Sequence, residues 1–496
     1  MRLPVHTDCG LPFALGVIAE GLGVALVPTQ DPASADLLYS AEVPQAADHR
    51  AVWIRRDQPP RTLEEAGIRF QAARRALNAG SSGLLRIQAD LVSLAETLLS
   101  GRLEDALPRN EFGVPLLAGN AADLLRRPAL SELIEALGRV LDRRQPAGHR
   151  VSRWPMGKRA ALLITHDVDL PARRPGAAFY RRRIRRDLLR GSPVAASRAL
   201  AGWIRTRLSA GTSLPQREDP NFGFRYWREA ERALGGKGCF YVAVTSSADA
   251  DGHPSDVPYD AGDPALVEAM REAVASGWEI GLHASIRCAT TPGLFAREKE
   301  RLETLLGAPV QGVRHHYWAL KAGSPGETWR AQAQAGFAYD SSLGTNDAPG
   351  FRRGLAWPFR PRAGLPLQVP PTLMDGGVFY ADPGREAGVR AVREHLSTVF
   401  QAGGAAVLDW HLEQSNPVRL GGAGPALQEA LDLVRARCDL WIATPGEVCD
   451  WWTERAARLQ ALSRERPRIR TSRPAVPPPA ESPVRPFDPG TRIPGS

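Results

Sequence analysis

From residue 155 to 455, short apolar runs alternate with longer stretches in which apolar residues recur every three or four positions. The runs 160–166, 238–245, 278–283, 310–315, 337–340, 366–370, 405–411 and 440–443 read as buried strands bounded by Gly, Pro or polar clusters. The stretches 264–276, 292–306, 326–335, 385–401 and 424–437 read as helices between them. This alternation predicts an α/β fold with parallel strands, a distorted (β/α)7–8 barrel, closed or nearly so. A doubly wound open sheet is the competing architecture, but no GxGxxG or P-loop accompanies any run. Residues 1–150 predict a smaller α/β domain in front of it. There, 11–27 alternates Gly with apolar residues, 51–54 resembles a strand, and 84–99 has helical spacing. No catalytic constellation stands out in that region. At the other end, 467–496 is rich in Pro, Arg and Ser and reads as a disordered tail.

Chemistry gathers where the apolar runs stop. The first run ends in Thr165-His166-Asp167-Val168-Asp169, and on an extended strand end two aspartates spaced two apart project to the same side. One can hold a metal while the other takes a proton from metal-bound water. Further runs end in His283, in Arg314-His315-His316 and in Asp409-Trp410-His411. A single histidine at a strand end is usually an ordinary core residue. Histidines ending three strands beside a paired-aspartate end make a shared site the better reading. One carboxylate and two imidazoles suit Zn²⁺ or a similar divalent ion with an open water position.

Composition sharpens this picture in two places. The five cysteines (Cys9, Cys239, Cys288, Cys438, Cys449) form no CxxC-type pair, which suggests reduced thiols rather than a metal knuckle. With no signal-peptide pattern and no apolar run long enough to span a bilayer, the expectation is a cytoplasmic protein. The net charge of +9 is concentrated in 171–217, where twelve arginines face one acid, Asp187. That segment reads as a basic helical insertion in the barrel. Its Tyr, Trp, Leu and Ile residues allow peripheral contact with an anionic membrane, or else a solvated face. No nucleic-acid reader motif accompanies it, so nucleic acid is not an expected partner.

These motifs resemble the polysaccharide deacetylase family, the NodB-homology group of metal-dependent carbohydrate esterases, over 155–455. The nearest likeness is to a divergent branch with THDVD in place of the usual TFDDG. The resemblance implies a distorted (β/α) barrel that binds a divalent metal and removes acetyl groups from N-acetylated sugars. Asp167 matches the catalytic base. Asp169 matches the metal-binding aspartate, displaced by one because Val168 holds the usual place. His283 matches the first histidine of H-[ST]-x-x-H, but Ser285 comes one place late and Arg287 stands where the second histidine belongs. Arginine cannot ligate a cation. His316, on the next strand end, is the candidate replacement, because alternation turns His315 to the opposite side. Arg314 matches the arginine that orients the base, and 339–344 the segment lining the substrate groove. His411 matches the general acid, and Asp409 is either its helper or a buried salt-bridge partner. The region around Gly113-Val114-Pro115 and before Lys158-Arg159-Ala160 is similar to a module joined to this branch, and names no chemistry.

The implied activity is hydrolysis of a C–N bond other than a peptide bond. Asp167, Arg314 and His411 would be catalytic, and Asp169, His283 and His316 would hold zinc, with cobalt or nickel as alternatives. The expected substrate is an N-acetylated sugar in a polysaccharide or its lipid- or nucleotide-linked precursor. Tyr317, Trp318, Tyr339 and Trp410 are candidates to stack on it. Hydrolysis of a non-sugar amide by the same groups is an alternative. So is a barrel that has lost the second histidine and only binds carbohydrate or an assembly partner.

Overall fold

A computed structural model describes residues 1–81, 83–117, 123–144, 149–172, 176–189, 191, 193–208 and 216–464. The first sheet is parallel, with strands β1 (Arg2–Thr7), β2 (Ala25–Pro28), β3 (Leu37–Ser40), β4 (Val52–Arg55) and β5 (Leu85–Ile87) in the order β2-β1-β3-β4-β5. The stretch 84–99 is therefore not one helix. Its first residues pair as β5, and the helix Leu91–Ser100 starts only where the buried Asp90 caps the Ser93 amide.

Among the described residues the second sheet has nine strands, all parallel where they pair in register. They are β6 (Ala160–Val168), β7 (Cys239–Val242), β8 (Glu279–Ala284), β9 (Gly312–His315), β10 (Tyr339–Asp340), β11 (Leu367–Gln368), β12 (Leu373–Met374), β13 (Ala405–Asp409) and β14 (Leu440–Ile442). The order is β11-β10-β9-β8-β7-β6-β13-β12, with β14 beside β6. All eight apolar runs identified in the sequence form strands; β12, two residues long, carries no alternation to read. Outer strands β11 and β12 do not pair, so the sheet curls into a barrel that stays open at this seam. The long strand β6 forks. Ala160–Leu162 pairs with β14, Thr165–Val168 with β7, and Ala161–Thr165 with β13 on the other side.

Every residue of β6 is buried, as expected for a central parallel strand covered on both faces. Alternation divides it between two cores. Ala160, Leu162 and Ile164 pack with helix residues such as Leu266, Leu302, Leu396 and Leu427. Ala161 and Leu163 join Tyr241, Tyr339 and Trp357 in a core continuous with that of the first sheet. The tyrosines fill the inner side because β9 starts with glycine: a Cβ on Gly312 would lie 1.9 Å from the Tyr339 ring. Tyr339 Oη donates to Glu279 Oε1 at 2.7 Å, and Tyr241 Oη donates to Tyr339 Oη at 3.3 Å.

Met1–Ser463 forms one compact unit, and of the remaining Arg464–Ser496 only Arg464 is described. The 467–496 segment lies outside the described residues. All five cysteines are free. Within the compact unit, the buried Glu104 accepts from Arg352 Nη2 at 2.9 Å and pairs with Arg353 Nη1. Burial alone would raise its pKa, but the two guanidinium groups outweigh that and hold it below the ordinary glutamate value. A folded-state pKa depressed in this way stabilises the fold above the ordinary carboxylate pKa, and the contribution is lost as pH falls through the lowered value. Glu104→Ala leaves two arginines buried without their counter-ion, and the expected loss is about 3–5 kcal/mol. Urea unfolding measures it; a loss of less than about 1 kcal/mol would show that water reaches the arginines.

Candidate metal and catalytic site

Asp167 lies near the end of β6 and Asp169 one residue beyond it, continuing the inward row of Ala161 and Leu163. The strand end is pinned by Tyr259, whose hydroxyl donates to the Val168 carbonyl at 2.9 Å and accepts from the Ala243 amide at 3.0 Å. Two strands across, β8 delivers His283, and the tight turn following β9 delivers His316. Ligand atoms of Asp169, His283 and His316 all lie within 4.8 Å of one another. His283 Nε2 is 3.3 Å from Asp169 Oδ1, and His316 Nε2 is 3.3 Å from Asp169 Oδ2. His315 faces away, buried edge-on to Phe295 at 5.1 Å, and burial pushes its pKa down to about 3. Arg287 sits in the short helical turn Ile286–Ala289 after β8, where its guanidinium reaches toward the Ala250 carbonyl.

The three residues fit a divalent cation. The buried Asp169 Oδ1 and His283 Nε2 face each other at 3.3 Å, and neither has any other hydrogen-bond partner. His283 Nδ1 lies 3.2 Å from the Arg314 carbonyl, so its proton goes there and the Nε2 lone pair is left free. His316 is backed in the same way by Asp256, whose Oδ1 lies 3.5 Å from Nδ1. An imidazole supported from behind by a carbonyl or carboxylate is the usual arrangement of a metal-ligating histidine. Burial tends to raise the Asp169 pKa, yet the two imidazoles hold it well below the ordinary value.

Beside this group sits a second one, Asp167, Asp409 and His411, also with ligand atoms within 4.8 Å. Arg314, fully buried on β9, organises it. Its Nη1 donates to Asp167 Oδ1 at 2.9 Å and lies 3.0 Å from Asp409 Oδ1. Its other nitrogens donate to the Ser341 carbonyl and hydroxyl, and the Tyr241 ring lies beneath it at 4.2 Å. Burial and the neighbouring Asp167 push Asp409 well above the usual carboxylate range. Asp167 goes the other way: burial raises it, but Arg314, His283 and His411 outweigh this and keep it ionised. The two carboxylates are thus displaced in opposite directions, as expected when two acids share one cation.

His411 follows β13 and is held by Asp375, the residue after β12. Asp375 Oδ2 accepts the His411 amide at 2.8 Å, and both carboxylate oxygens lie 3.1 Å from Nδ1. Burial lowers the His411 pKa, yet Asp375, Asp409 and Asp169 outweigh it and push it well above the ordinary imidazole value. Asp375, rather than Asp409, orients this histidine; Asp409 is the buried partner of Arg314.

The cleft above these groups has a volume of about 460 Å³. Tyr317 and Trp318 line it, while Trp410 and Tyr339 are fully buried, the first donating to the Ala423 carbonyl. Residues 339–344 are buried as well and support Arg314 from behind instead of lining the groove. Tyr317 and Trp318 both have left-handed backbones, φ 55° and 57°, a strained conformation for aromatic residues. What holds the turn is a stack of rings. Tyr317 lies 4.2 Å from the His316 ring on one side and 4.0 Å from Phe112 on the other, nearly parallel to both. Phe112 belongs to a turn whose Asn110 side chain accepts the Phe112 and Val114 amides, and Val114 packs on Trp318.

Asp375, Asp256, Glu413 and Phe112 are the site residues that sequence reasoning missed. Glu413, buried two residues after His411, has its pKa pushed up to about 7 by burial. None of the four ends a readable apolar run, and only the folded chain brings them to the cleft.

No family model and no curated protein matches the chain. Among solved structures it is similar to an inferred polysaccharide deacetylase from Mycobacterium smegmatis, at 20% identity over 62% of this chain and 94% of that one, with a TM-score of 0.40. It is also similar to a CE4-family pseudoenzyme from Bacillus anthracis, at 9% identity over 60% of this chain and 67% of that one, with a TM-score of 0.30. A mutant of that pseudoenzyme with restored enzymatic activity matches at 10% identity over 60% of this chain and 69% of the other, again with a TM-score of 0.30. At these values the likenesses assign no chemistry to this chain.

Proposed function

We propose that this cleft hydrolyses a C–N amide bond, that of an N-acetylated sugar, with a divalent ion held by Asp169, His283 and His316. The carrying observation is the Asp169–His283–His316 cluster, whose ligand atoms converge within 4.8 Å, set beside an Asp167 whose pKa is lowered and a His411 whose pKa is raised. When bound, zinc or a similar ion there supplies polarisation of the amide carbonyl and a water of lowered pKa.

The chain's own groups supply the proton transfers. Asp167, kept anionic by Arg314, takes a proton from the attacking water as its oxygen bonds to the acyl carbon. His411 Nε2, 3.6 Å from Asp169 Oδ2 and held at Nδ1 by Asp375, gives its proton to the amide nitrogen as the C–N bond breaks. The products are acetate and a free amine. Opposite pKa displacements on two groups facing one cleft are what a paired base and acid require. The cavity volume suits a sugar unit.

Acetate release from N-acetylglucosamine oligosaccharides, with metal-stripped protein and after adding Zn²⁺, Co²⁺ or Ni²⁺, tests the reading. Release that needs the metal supports it. Stoichiometric metal binding with no release from any N-acetylated sugar or simple amide would instead favour a carbohydrate-binding barrel that has lost turnover.

A further inference from the structure

Between β6 and the helix Phe224–Ala233, the chain forms a hairpin of two helices, Ala177–Leu189 and Pro193–Leu208, that pack on each other. The contact is close because Gly202 has no side chain: a Cβ there would lie 3.1 Å from the Tyr180 ring. Phe179, Ala196 and Ala199 are buried. The opposite faces are unusual for a soluble surface. Among the described residues, twelve large apolar side chains are exposed, and five of them, Leu188, Leu189, Val194, Leu200 and Ile204, lie on this hairpin.

Helical geometry sorts these residues. On the first helix Arg181, Arg185, Leu188 and Leu189 follow the i, i+4, i+7, i+8 spacing of one face, and all four are exposed. On the second, Val194 and Arg198 share one face at i, i+4 spacing and Leu200 and Ile204 another, and all four are exposed while Ala196 and Ala199 are buried. Leu188, Leu189 and Val194, at 57%, 77% and 63% exposure, lie on either side of the turn between the helices. Arg181, Arg185 and Arg198 are exposed and make no ion pair among the described residues. Charge that serves the fold is distinct from these: Arg182 reaches Asp249 and Asp260, at 3.5 and 3.2 Å, and ties the hairpin to the loop after β7.

We infer that this hairpin docks the protein on an anionic lipid surface, with Leu188, Leu189 and Val194 entering the interface and the free arginines meeting phosphate headgroups. An exposed apolar stripe flanked by unpaired arginines has the composition of a helix that lies in the membrane plane. Charge complementarity chooses the lipid: 171–217 carries +11, while the rest of the chain sums to about −2. No helix among the described residues is long and apolar enough to cross a membrane, so contact through the hairpin is peripheral. The hairpin is rooted at the C-terminal end of β6, the same end of the sheet that carries Asp167 and Asp169. Docking itself does not depend on the amide-hydrolase reading.

Co-sedimentation of the full chain with phosphatidylglycerol-containing vesicles, and with pure phosphatidylcholine vesicles, tests the inference. Binding to the anionic vesicles alone is expected, weakening roughly fivefold per arginine removed, so about 100-fold in an R181A/R185A/R198A variant. A Leu188→Ser, Leu189→Ser, Val194→Ser variant should also detach with the melting temperature little changed, because each of these side chains is more than half exposed. Absence of binding to anionic vesicles at about 0.1 M salt overturns the inference. So does a serine variant that binds as well as the parent, since the patch would then be a purely electrostatic site for some other polyanion. A His411→Ala variant should bind vesicles normally whatever its hydrolytic activity, which separates this outcome from the fate of the proposed reaction.

Discussion

Asp167→Asn lowers the rate of amide hydrolysis by about 10²–10⁴-fold without releasing the metal. The asparagine keeps the shape and a hydrogen-bonding oxygen for Arg314, so the architecture around Nη1 survives. What it loses is the ability to accept a proton. Asp169, His283 and His316 are untouched, and metal content should match the parent. A variant that lost metal in parallel with activity would show that Asp167 is a ligand, not the base. His411→Ala should be similarly slow, and the two changes together little worse than either, because attack and departure belong to one proton relay. The pH profile follows from the same two groups. Asp167 must be ionised, and its pKa is lowered, so the acid limb lies below the ordinary carboxylate range. His411 must be protonated, and its pKa is raised, so the basic limb lies above the ordinary imidazole range. Activity is then flat through neutrality. Asp375→Asn removes the anion that most strengthens the imidazolium, and moves the basic limb down in pH.

The second large effect concerns the metal itself. His316→Ala should weaken binding of Zn²⁺ or Co²⁺ by at least about 100-fold, beyond the 10–100-fold typical of losing a group that merely supports a ligand. Arg287→Ala should leave affinity as it was, because the Arg287 guanidinium reaches toward the Ala250 carbonyl and an arginine is no metal ligand. Calorimetric titration of metal-stripped protein reads both. If Arg287→Ala weakened binding as much as His316→Ala, the assignment of the third ligand to the β9 turn would be wrong. The contrast matters because the resemblance drawn from sequence places the second histidine at position 287, where this chain has arginine.

The residues that could be read from the sequence are those at the ends of long apolar runs. Asp167, Asp169, His283, Arg314, His316 and Asp409 sit where β6, β8, β9 and β13 stop, and parallel strands bring all their C-terminal ends to one side. Alternation also settled which of His315 and His316 turns inward. Asp375 was illegible for a physical reason: β12 is two residues long, and its register comes from pairing with β13 rather than from any pattern of its own. Asp256 lies in the loop between β7 and the helix Pro264–Ala275, where nothing periodic constrains side-chain direction. The aromatic residues show the opposite failure. Trp410 and Tyr339 stand next to or on strand ends, but burial claimed them, and a strand-end position alone does not distinguish a wall of the cleft from a plug beneath it.

The ring stack of Phe112, Tyr317 and His316 bears on how such a chain can change over generations. A side chain from the segment after the first sheet rests on a residue whose neighbour is a proposed metal ligand in the second. The two sheets are therefore not interchangeable cassettes. A lineage that replaced the first with an unrelated fold would have to find another ring for Tyr317, or accept a turn relaxing out of its left-handed conformation. Inheritance of the half that carries the Asp169–His283–His316 cluster is thereby bound to inheritance of the other, and substitutions at position 112 and at positions 316–318 should be fixed together rather than one by one.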